Sequence, residues 1–266
     1  MTAIPYWHVD AFAEATFGGN QAAVVIVDAW PSDDTMRDVA AENLFAETAF
    51  LLEDESGEAD WELRWFTPTS EVQMCGHATL ASGHVVLGRD GGERVRFRTR
   101  KAGVLEVSRD GEGYALSLPS STVEERKMPD LLAALGIDAP VFDTGQGVEQ
   151  TTIVLLENEA AVRAVAPDME ALGTIDRMAS CTAPGETADV VSRVFVPAWG
   201  VPEDSVTGSA HAVLTPFWCD RLGRESFTAF QASERGGHLT CTRQGERAVL
   251  GGKCVTVVEG TFYLPG

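Results

Sequence analysis

At 266 residues the chain is long for a single domain, and two domains are the expected number. Its 44% hydrophobic content supplies packed cores, which excludes a disordered or low-complexity chain. The 40 acidic residues against 20 basic ones give a formal net charge of -20, a field that repels phosphate backbones and anionic membranes and so argues against nucleic acid and lipid as partners. The five cysteines, Cys75, Cys181, Cys219, Cys241 and Cys254, are odd in number and lack CxxC or His/Cys ligand spacing. They support neither a disulfide framework nor a zinc site. The first ten residues lack a signal-peptide pattern and no apolar run reaches spanning length, so the cytoplasm is the expected location.

In chain order, Ile4 to Phe12 alternates as a strand, Phe17-Gly18-Gly19-Asn20 is turn chemistry, and Ala22 to Val27 is a buried strand. Ser32 is positioned to start a helix with Asp33 and Asp34 in its first turn and Met36, Val39, Ala40 and Leu44 as its apolar stripe. Thr48 to Leu52 reads as a strand, with Glu47 at the junction before it. Trp61 to Thr67 is a strand, Ala78 to Leu87 a helix, and Arg94 to Arg100, Val104 to Arg109 and Tyr114 to Leu118 are three more strands. Residues 120–128, with Ser120-Ser121 and the charged run Glu124 to Lys127, have the composition of a linker. In the second half, Leu131 to Leu135 and Glu159 to Val165 are short helices, and Thr151 to Leu156 and Val190 to Val196 are strands. Ser209 to Arg221 is a long helix, followed by strands at Thr228 to Ala232, His238 to Arg243, Ala248 to Leu250 and Cys254 to Glu259.

The two halves share a pattern. Cys75-Gly76-His77-Ala78-Thr79 and Thr207-Gly208-Ser209-Ala210-His211 lie about half a chain length apart. Each follows a strand ending in Phe-x-Pro (Phe66-Thr67-Pro68, Phe195-Val196-Pro197) and precedes an apolar helix closed by Leu-Gly-Arg (Leu87-Gly88-Arg89, Leu222-Gly223-Arg224). A duplicated half-domain leaves such a trace. The expected architecture is α+β, with two pseudo-symmetric domains, each a barrel-like, mostly antiparallel sheet around a central helix. The halves are expected at 1–119 and 129–260, joined by the linker at 120–128, with the tail 261–266 a candidate to return to the first half.

A helix N-terminus presents unpaired backbone N–H groups and a partial positive charge, so two such starts would clasp a small carboxylate. Gly76 and Gly208 let a ligand approach the backbone closely. Glu47, set among small and apolar neighbours, suits a general acid/base, although an exposed helix-end glutamate is the commoner reading of such a residue alone. His77, at a helix start, would be held neutral and able to relay a proton, or it is structural. Asp204 precedes the second helix start, where an acidic residue is commonly only a cap, and Ser209 also reads as a cap. Cys75, a thiol at a helix N-terminus, suits a base at carbon, but the second half offers only Ser205, Val206 and Thr207 at the equivalent turn, so a small buried thiol is the favoured reading over a two-thiol racemase. Gln231 to His238 reads as a strand end and tight turn able to present Arg235 or its backbone.

Taken together, Val9-Asp10-Ala11-Phe12, Phe17-Gly18-Gly19-Asn20, Leu44 to Phe50 around Glu47, Arg64-Trp65-Phe66-Thr67-Pro68, the two helix starts with Glu203-Asp204, and Gln231 to Gly237 resemble the phenazine-biosynthesis (PhzF-like) isomerase family. That family has the diaminopimelate epimerase-like fold, and the match runs in order over nearly the whole chain. The resemblance implies no metal or organic cofactor, a small-molecule carboxylate substrate, an active site in a cleft between two domains and a homodimer. It assigns proton transfer between carbons to Glu47, supporting roles to His77, Asp204 and Ser209, and a backbone contact to Gly76. Cys75 occupies the position of the first catalytic thiol of the epimerases. The expected function is therefore a cofactor-independent isomerase acting on a small carboxylated, cyclic or amino-acid-like substrate. A Cys75-dependent amino-acid racemase or epimerase and a non-catalytic small-acid-binding protein are the alternatives.

Overall fold

The structure is a computed structural model that describes residues 1–145 and 150–264. The chain divides into two compact units, Met1–Ser117 with Gly251–Gly266, and Leu118–Leu250.

The first unit is built on β1 (Thr2–Ala11), β2 (Asn20–Ile26), α1 (Asp33–Asn43), β3 (Glu47–Glu53), β4 (Trp61–Phe66), β5 (Glu71–Val72), α2 (Gly76–Asp90), β6 (Arg94–Thr99), β7 (Val104–Asp110) and most of β8 (Gly113–Pro119). β2 runs antiparallel to β1 and parallel to β3, and β3 is antiparallel to β4. β4 then pairs antiparallel with β5 along one stretch and parallel with β6 along another, and β7 and β8 follow by antiparallel pairing. α1 starts as expected, with Ser32 Oγ accepting from the Thr35 amide at 3.1 Å. Met36, Val39 and Ala40 pack in a core cluster with Val25, Phe50 and Phe66. Leu44 departs from the expected stripe: it is the left-handed C-cap at φ 58° and is 83% exposed, because the helix ends before the stripe returns to the sheet.

α2 packs against β1, β2, β3, β6 and β7 and is buried nearly all round. Its close approach to the sheet requires a glycine, since a Cβ on Gly83 would lie 2.4 Å from Val107 Cγ1.

The second unit contains β9 (Glu124–Glu125), α3 (Pro129–Leu135), β10 (Val141–Asp143), β11 (Thr151–Leu155), α4 (Glu159–Ala164), α5 (Met169–Leu172), β12 (Met178–Pro184), β13 (Val190–Val196), β14 (Val201–Asp204), α6 (Gly208–Leu222), β15 (Ser226–Gln231), β16 (Gly237–Gln244) and most of β17 (Arg247–Gly252). β11 is antiparallel to β10 and parallel to β12, and β12 is antiparallel to β13. β13 pairs antiparallel with β14 and parallel with β15, and β15 is antiparallel to β16. The core includes Leu131, Leu135, Val154, Leu172, Cys181 and Phe195.

The segment expected as a linker is not one throughout: Glu124 and Glu125 pair with Asp143 and Phe142. Acidic side chains keep that stretch out of the core but leave its backbone free to pair with a neighbouring strand. The second half also ends earlier than expected. β18 (Cys254–Leu264) belongs to the first unit and pairs antiparallel with β1 from Thr2↔Leu264 to Ala11↔Cys254, so the backbone groups of β1 are satisfied by the far end of the chain. Residues 265–266 of the expected returning tail lie outside the described residues.

The fold is thus α+β, with mixed sheets whose pairings are mostly antiparallel. Among the described residues the sheet is not closed, so the expected barrel-like closure is absent. No helix among them is long and apolar enough to cross a membrane.

Candidate active site

Glu47 is the first residue of β3, and its register opposite Ala22 brings it to the end of the sheet where β2 begins. Nearby, Gly19 turns the chain with φ 63° in a place where a Cβ would lie 2.2 Å from the Ala11 carbonyl oxygen. Only glycine fits there, and it delivers Asn20 to the start of β2. On α2, Cys75 is the N-cap in extended conformation, Gly76 is the first helical residue and His77 the second, and all three are buried. Cys75 does not cap the helix with its own side chain. Its carbonyl accepts both the amide and the hydroxyl of Thr79, at 3.2 and 2.5 Å.

These elements converge on the His77 ring. His77 Nε2 lies 3.2 Å from Glu47 Oε2, and Nδ1 lies 3.1 Å from Asn20 Nδ2 and 3.6 Å from Cys75 Sγ. With the Asn20 amide oriented this way, Asn20 donates to Nδ1, and the neutral imidazole carries its proton on Nε2, toward the Glu47 carboxylate. The Glu47 side chain is 18% exposed and that of His77 5%, and the carboxylate oxygen that faces the ring, Oε2, is itself buried. A carboxylate that is partly shielded and lies 3.2 Å from an imidazole nitrogen is placed to accept and return a proton.

In the second unit, Asp204 ends β14, and its Oδ2 accepts from the Thr207 hydroxyl at 2.6 Å. Thr207 is the extended N-cap of α6, and here too the cap side chain does not close the helix end. Gly208 and Ser209 follow as its first two residues, both buried. Gln231, fully buried at the end of β15, holds this start in place. Its Oε1 accepts the Thr207 amide at 2.9 Å, and its Nε2 donates to the Asp204 carbonyl at 2.7 Å. His211 donates from Nδ1 to the Thr207 carbonyl at 2.8 Å, with Nε2 3.4 Å from Ser192 Oγ. Complete burial pushes the His211 pKa down to about 4, against the smaller opposing effect of the Thr207 bond, so the ring is neutral. Arg235 sits half-buried in the turn after Gln231, where Ser233 Oγ donates to the Ser205 carbonyl at 2.7 Å.

Within their own units, then, Glu47, His77 and Gly76 come together around one helix start, and Asp204, Gly208 and Ser209 around the other. Asn20, Thr207 and Gln231 were not among the residues singled out individually from the sequence. Gln231 had a usable signal, since it is a large amide at a position where the alternation of β15 demands burial. Of the other cysteines, Cys181 and Cys241 are pushed up to about 12 by burial, which keeps them as protonated packing groups.

Comparison with known proteins bears on this arrangement. The phenazine biosynthesis-like (PhzC-PhzF) family model matches residues 9–260. An uncharacterized isomerase of Pseudomonas aeruginosa is 44% identical over 265 residues, covering 98% of this chain and 99% of the relative. The crystal structure of a PhzF-family phenazine biosynthesis protein from Enterococcus faecalis superposes with a TM-score of 0.89 at 37% identity, covering 99% and 100% of the two chains. A predicted epimerase from Pseudomonas aeruginosa, 21% identical with a TM-score of 0.76 over 98% and 100% of the two chains, has the same fold. Family match, full-length relatives and fold agree that this chain belongs to the phenazine biosynthesis-like family and is an isomerase.

Proposed function

We propose that the chain is a cofactor-independent isomerase in which Glu47 moves a proton between carbons of a small carboxylated substrate, cyclic or amino-acid-like. The observation that carries this reading is the 3.2 Å contact between Glu47 Oε2 and His77 Nε2 at the start of α2. The ionised carboxylate takes a proton from a carbon made acidic by adjacent unsaturation or a carbonyl. The electron pair left behind shifts through the conjugated system, and the same carboxyl returns the proton to a second carbon, so substrate and product share one formula. His77, its Nε2 3.2 Å from Glu47 Oε2, assists proton movement and orients the substrate's polar groups. The Gly76 backbone, Asp204, Gly208 and Ser209 are assigned to binding the substrate's carboxylate and hydroxyl groups, with Asp204 also assisting proton movement. A homodimer is proposed on the family resemblance and is tested by sedimentation equilibrium.

The deciding experiment is proton NMR in D₂O with a panel of small carboxylic acids, including dihydro-hydroxyanthranilate and free amino acids. Deuterium entering one ligand carbon in wild type and not in Glu47→Gln is the expected result. Equal exchange in a folded Glu47→Gln variant overturns the role of Glu47.

A second reading has one observation in its favour: Cys75 Sγ lies 3.6 Å from His77 Nδ1, close enough for the ring to take the thiol proton. A Cys75-dependent epimerase would exchange only the α-proton of an amino acid and would lose that exchange in Cys75→Ser. Against it, the residue matching Cys75 at the start of α6 is Thr207, whose hydroxyl has no comparable acidity. We also read the two units as copies of one ancestral half. The supporting observation is that the order of pairings from β1 to β7 recurs from β10 to β16, with a 15-residue helix at the same point of each.

A further inference from the structure

The donor set at the head of α2 has a second chemical meaning. Cys75 Sγ, a His77 ring nitrogen and a Glu47 carboxylate oxygen all lie within 4.8 Å of one another. Zinc binds sulfur at about 2.3 Å and nitrogen or carboxylate oxygen at about 2.0–2.1 Å in tetrahedral geometry, which places its ligand atoms roughly 3.3–3.6 Å apart. Two of the three separations are within a few tenths of an ångström of that range, 3.2 Å from His77 Nε2 to Glu47 Oε2 and 3.9 Å from that nitrogen to Cys75 Sγ, and the third lies within 4.8 Å. We propose that Cys75, His77 and Glu47 form an inhibitory binding site for a thiophilic divalent cation of the zinc class.

Three features support it. The ligands sit at the first residue of a strand and the first turn of a helix, so their spacing is held by regular structure and not by a loop. Asn20 is placed on the far ring nitrogen, where its amide, turned over, accepts the Nδ1 proton as the outer partner of a metal-bound histidine does. Three protein ligands leave the fourth tetrahedral position open to water or to a substrate carboxylate. The positive end of α2 opposes a cation. A thiolate and a carboxylate bring two negative charges to the site, however, and the chain's net charge of -20 draws cations toward it. On binding, the thiol proton leaves to solvent and the metal takes up the sulfur and carboxylate lone pairs. A Glu47 oxygen bound to metal cannot accept a proton from carbon. The inhibition, though not the binding, rests on the proposed role of Glu47.

The test uses the full chain freed of metal with a chelator. One equivalent of Co²⁺ is expected to give a thiolate-to-cobalt charge-transfer band and the intense visible bands of four-coordinate cobalt. Zn²⁺, measured by competition with a chelating dye, is expected to displace it. Cys75→Ser should lose the charge-transfer band and weaken Zn²⁺ binding by at least about 100-fold, the upper end of what losing even an outer partner costs. Glu47→Gln should weaken binding while keeping the band. Metal-free thermal unfolding identifies any variant that fails to fold. X-ray absorption on the Zn²⁺-loaded wild type tests the sulfur ligand independently of the variants. Absence of the charge-transfer band, equal Zn²⁺ binding by wild type and folded Cys75→Ser, or a zinc shell without sulfur overturns the site. Tight binding that leaves substrate exchange unchanged overturns the inhibition alone.

Discussion

The starts of α2 and α6 use the same scaffold for different ends. In each, the strand that leads toward the helix carries Arg-x-Phe, with the guanidinium over the phenylalanine ring: Arg64 4.9 Å from the centre of Phe66, and Arg193 4.8 Å from that of Phe195. Each arginine also grips, through two parallel hydrogen bonds, a glutamate on the short strand that follows, Glu71 and Glu203 respectively, all at 2.8 Å. Four residues after each N-cap, a side chain bonds back to the cap carbonyl, Thr79 in α2 and His211 in α6. Beyond that frame the two diverge. The head of α2 gathers a carboxylate, an imidazole and a thiol, whereas the head of α6 is tied down by a buried amide and a neutral, buried histidine. A shared backbone device thus presents groups able to exchange protons at one start and a fixed polar frame at the other.

The largest expected effect breaks the comparison on its reactive side. Glu47→Gln should lower proton exchange by about 10² to 10⁴-fold, the usual contribution of one positioned base, with thermal unfolding little changed. No comparable loss from a neutral substitution at Glu203 would sharpen the assignment, because that carboxylate is paired with Arg193.

The arginine braces come next. Arg64, 3% exposed, also reaches Asp33, and its guanidinium holds the Glu71 carboxyl below the usual carboxylate range. Arg64→Met should destabilise the fold by about 2–3 kcal/mol, because it removes a buried cation shared by two carboxylates, of which Asp33 stays 55% exposed and Glu71 keeps Arg100 at 3.1 Å. Arg193, 15% exposed with its partner at 22%, is better reached by water, and Arg193→Met should cost about 1–2 kcal/mol. Urea unfolding of both variants measures the difference, and equal costs would remove the distinction between the braces.

His211 supplies a pH test of the fixed side. Its folded pKa, about 4, lies below the ordinary histidine value of 6.5. Above 6.5 the ring is neutral in both states and contributes no pH dependence. As pH falls below 6.5, the unfolded chain takes up a proton that the folded chain refuses. Stability therefore declines until about pH 4, by about 3 kcal/mol in all. His211→Gln, which keeps a donor for the Thr207 carbonyl, should flatten that part of the stability profile. An unchanged slope would show that the ring is not held neutral.

A last test concerns Gln231→Leu, which removes the amide that holds the Thr207 N–H and the Asp204 carbonyl. It should cost about 2 kcal/mol in urea unfolding. A neutral result would mean that α6 does not need this amide to fix its start.

How much of this was legible in the sequence follows from the range of the interactions involved. The strands flanking each helix, the Ser32 cap and the two glycine-led helix starts depend on periodicity and on neighbours a few residues away, so the chain itself determined them. The repeated Phe-x-Pro and Leu-Gly-Arg frames were readable for the same reason. β12 escaped because its Ser180, Cys181 and Thr182 look like loop residues, although all three are fully buried in the sheet. The burial of Gln231 was readable from alternation, but what Asn20 and Gln231 hold was decided only in three dimensions, since those groups lie 57 and 24 residues away in sequence. The same is true of β18, which looked like the last strand of the second half until pairing with β1 assigned it to the first. The residue types suited to proton transfer were set by the sequence. The tertiary structure decided that Glu47, His77 and Cys75 share one site, because only the parallel register of β2 with β3 and the seating of α2 on that sheet bring distant backbone positions within a side chain's reach.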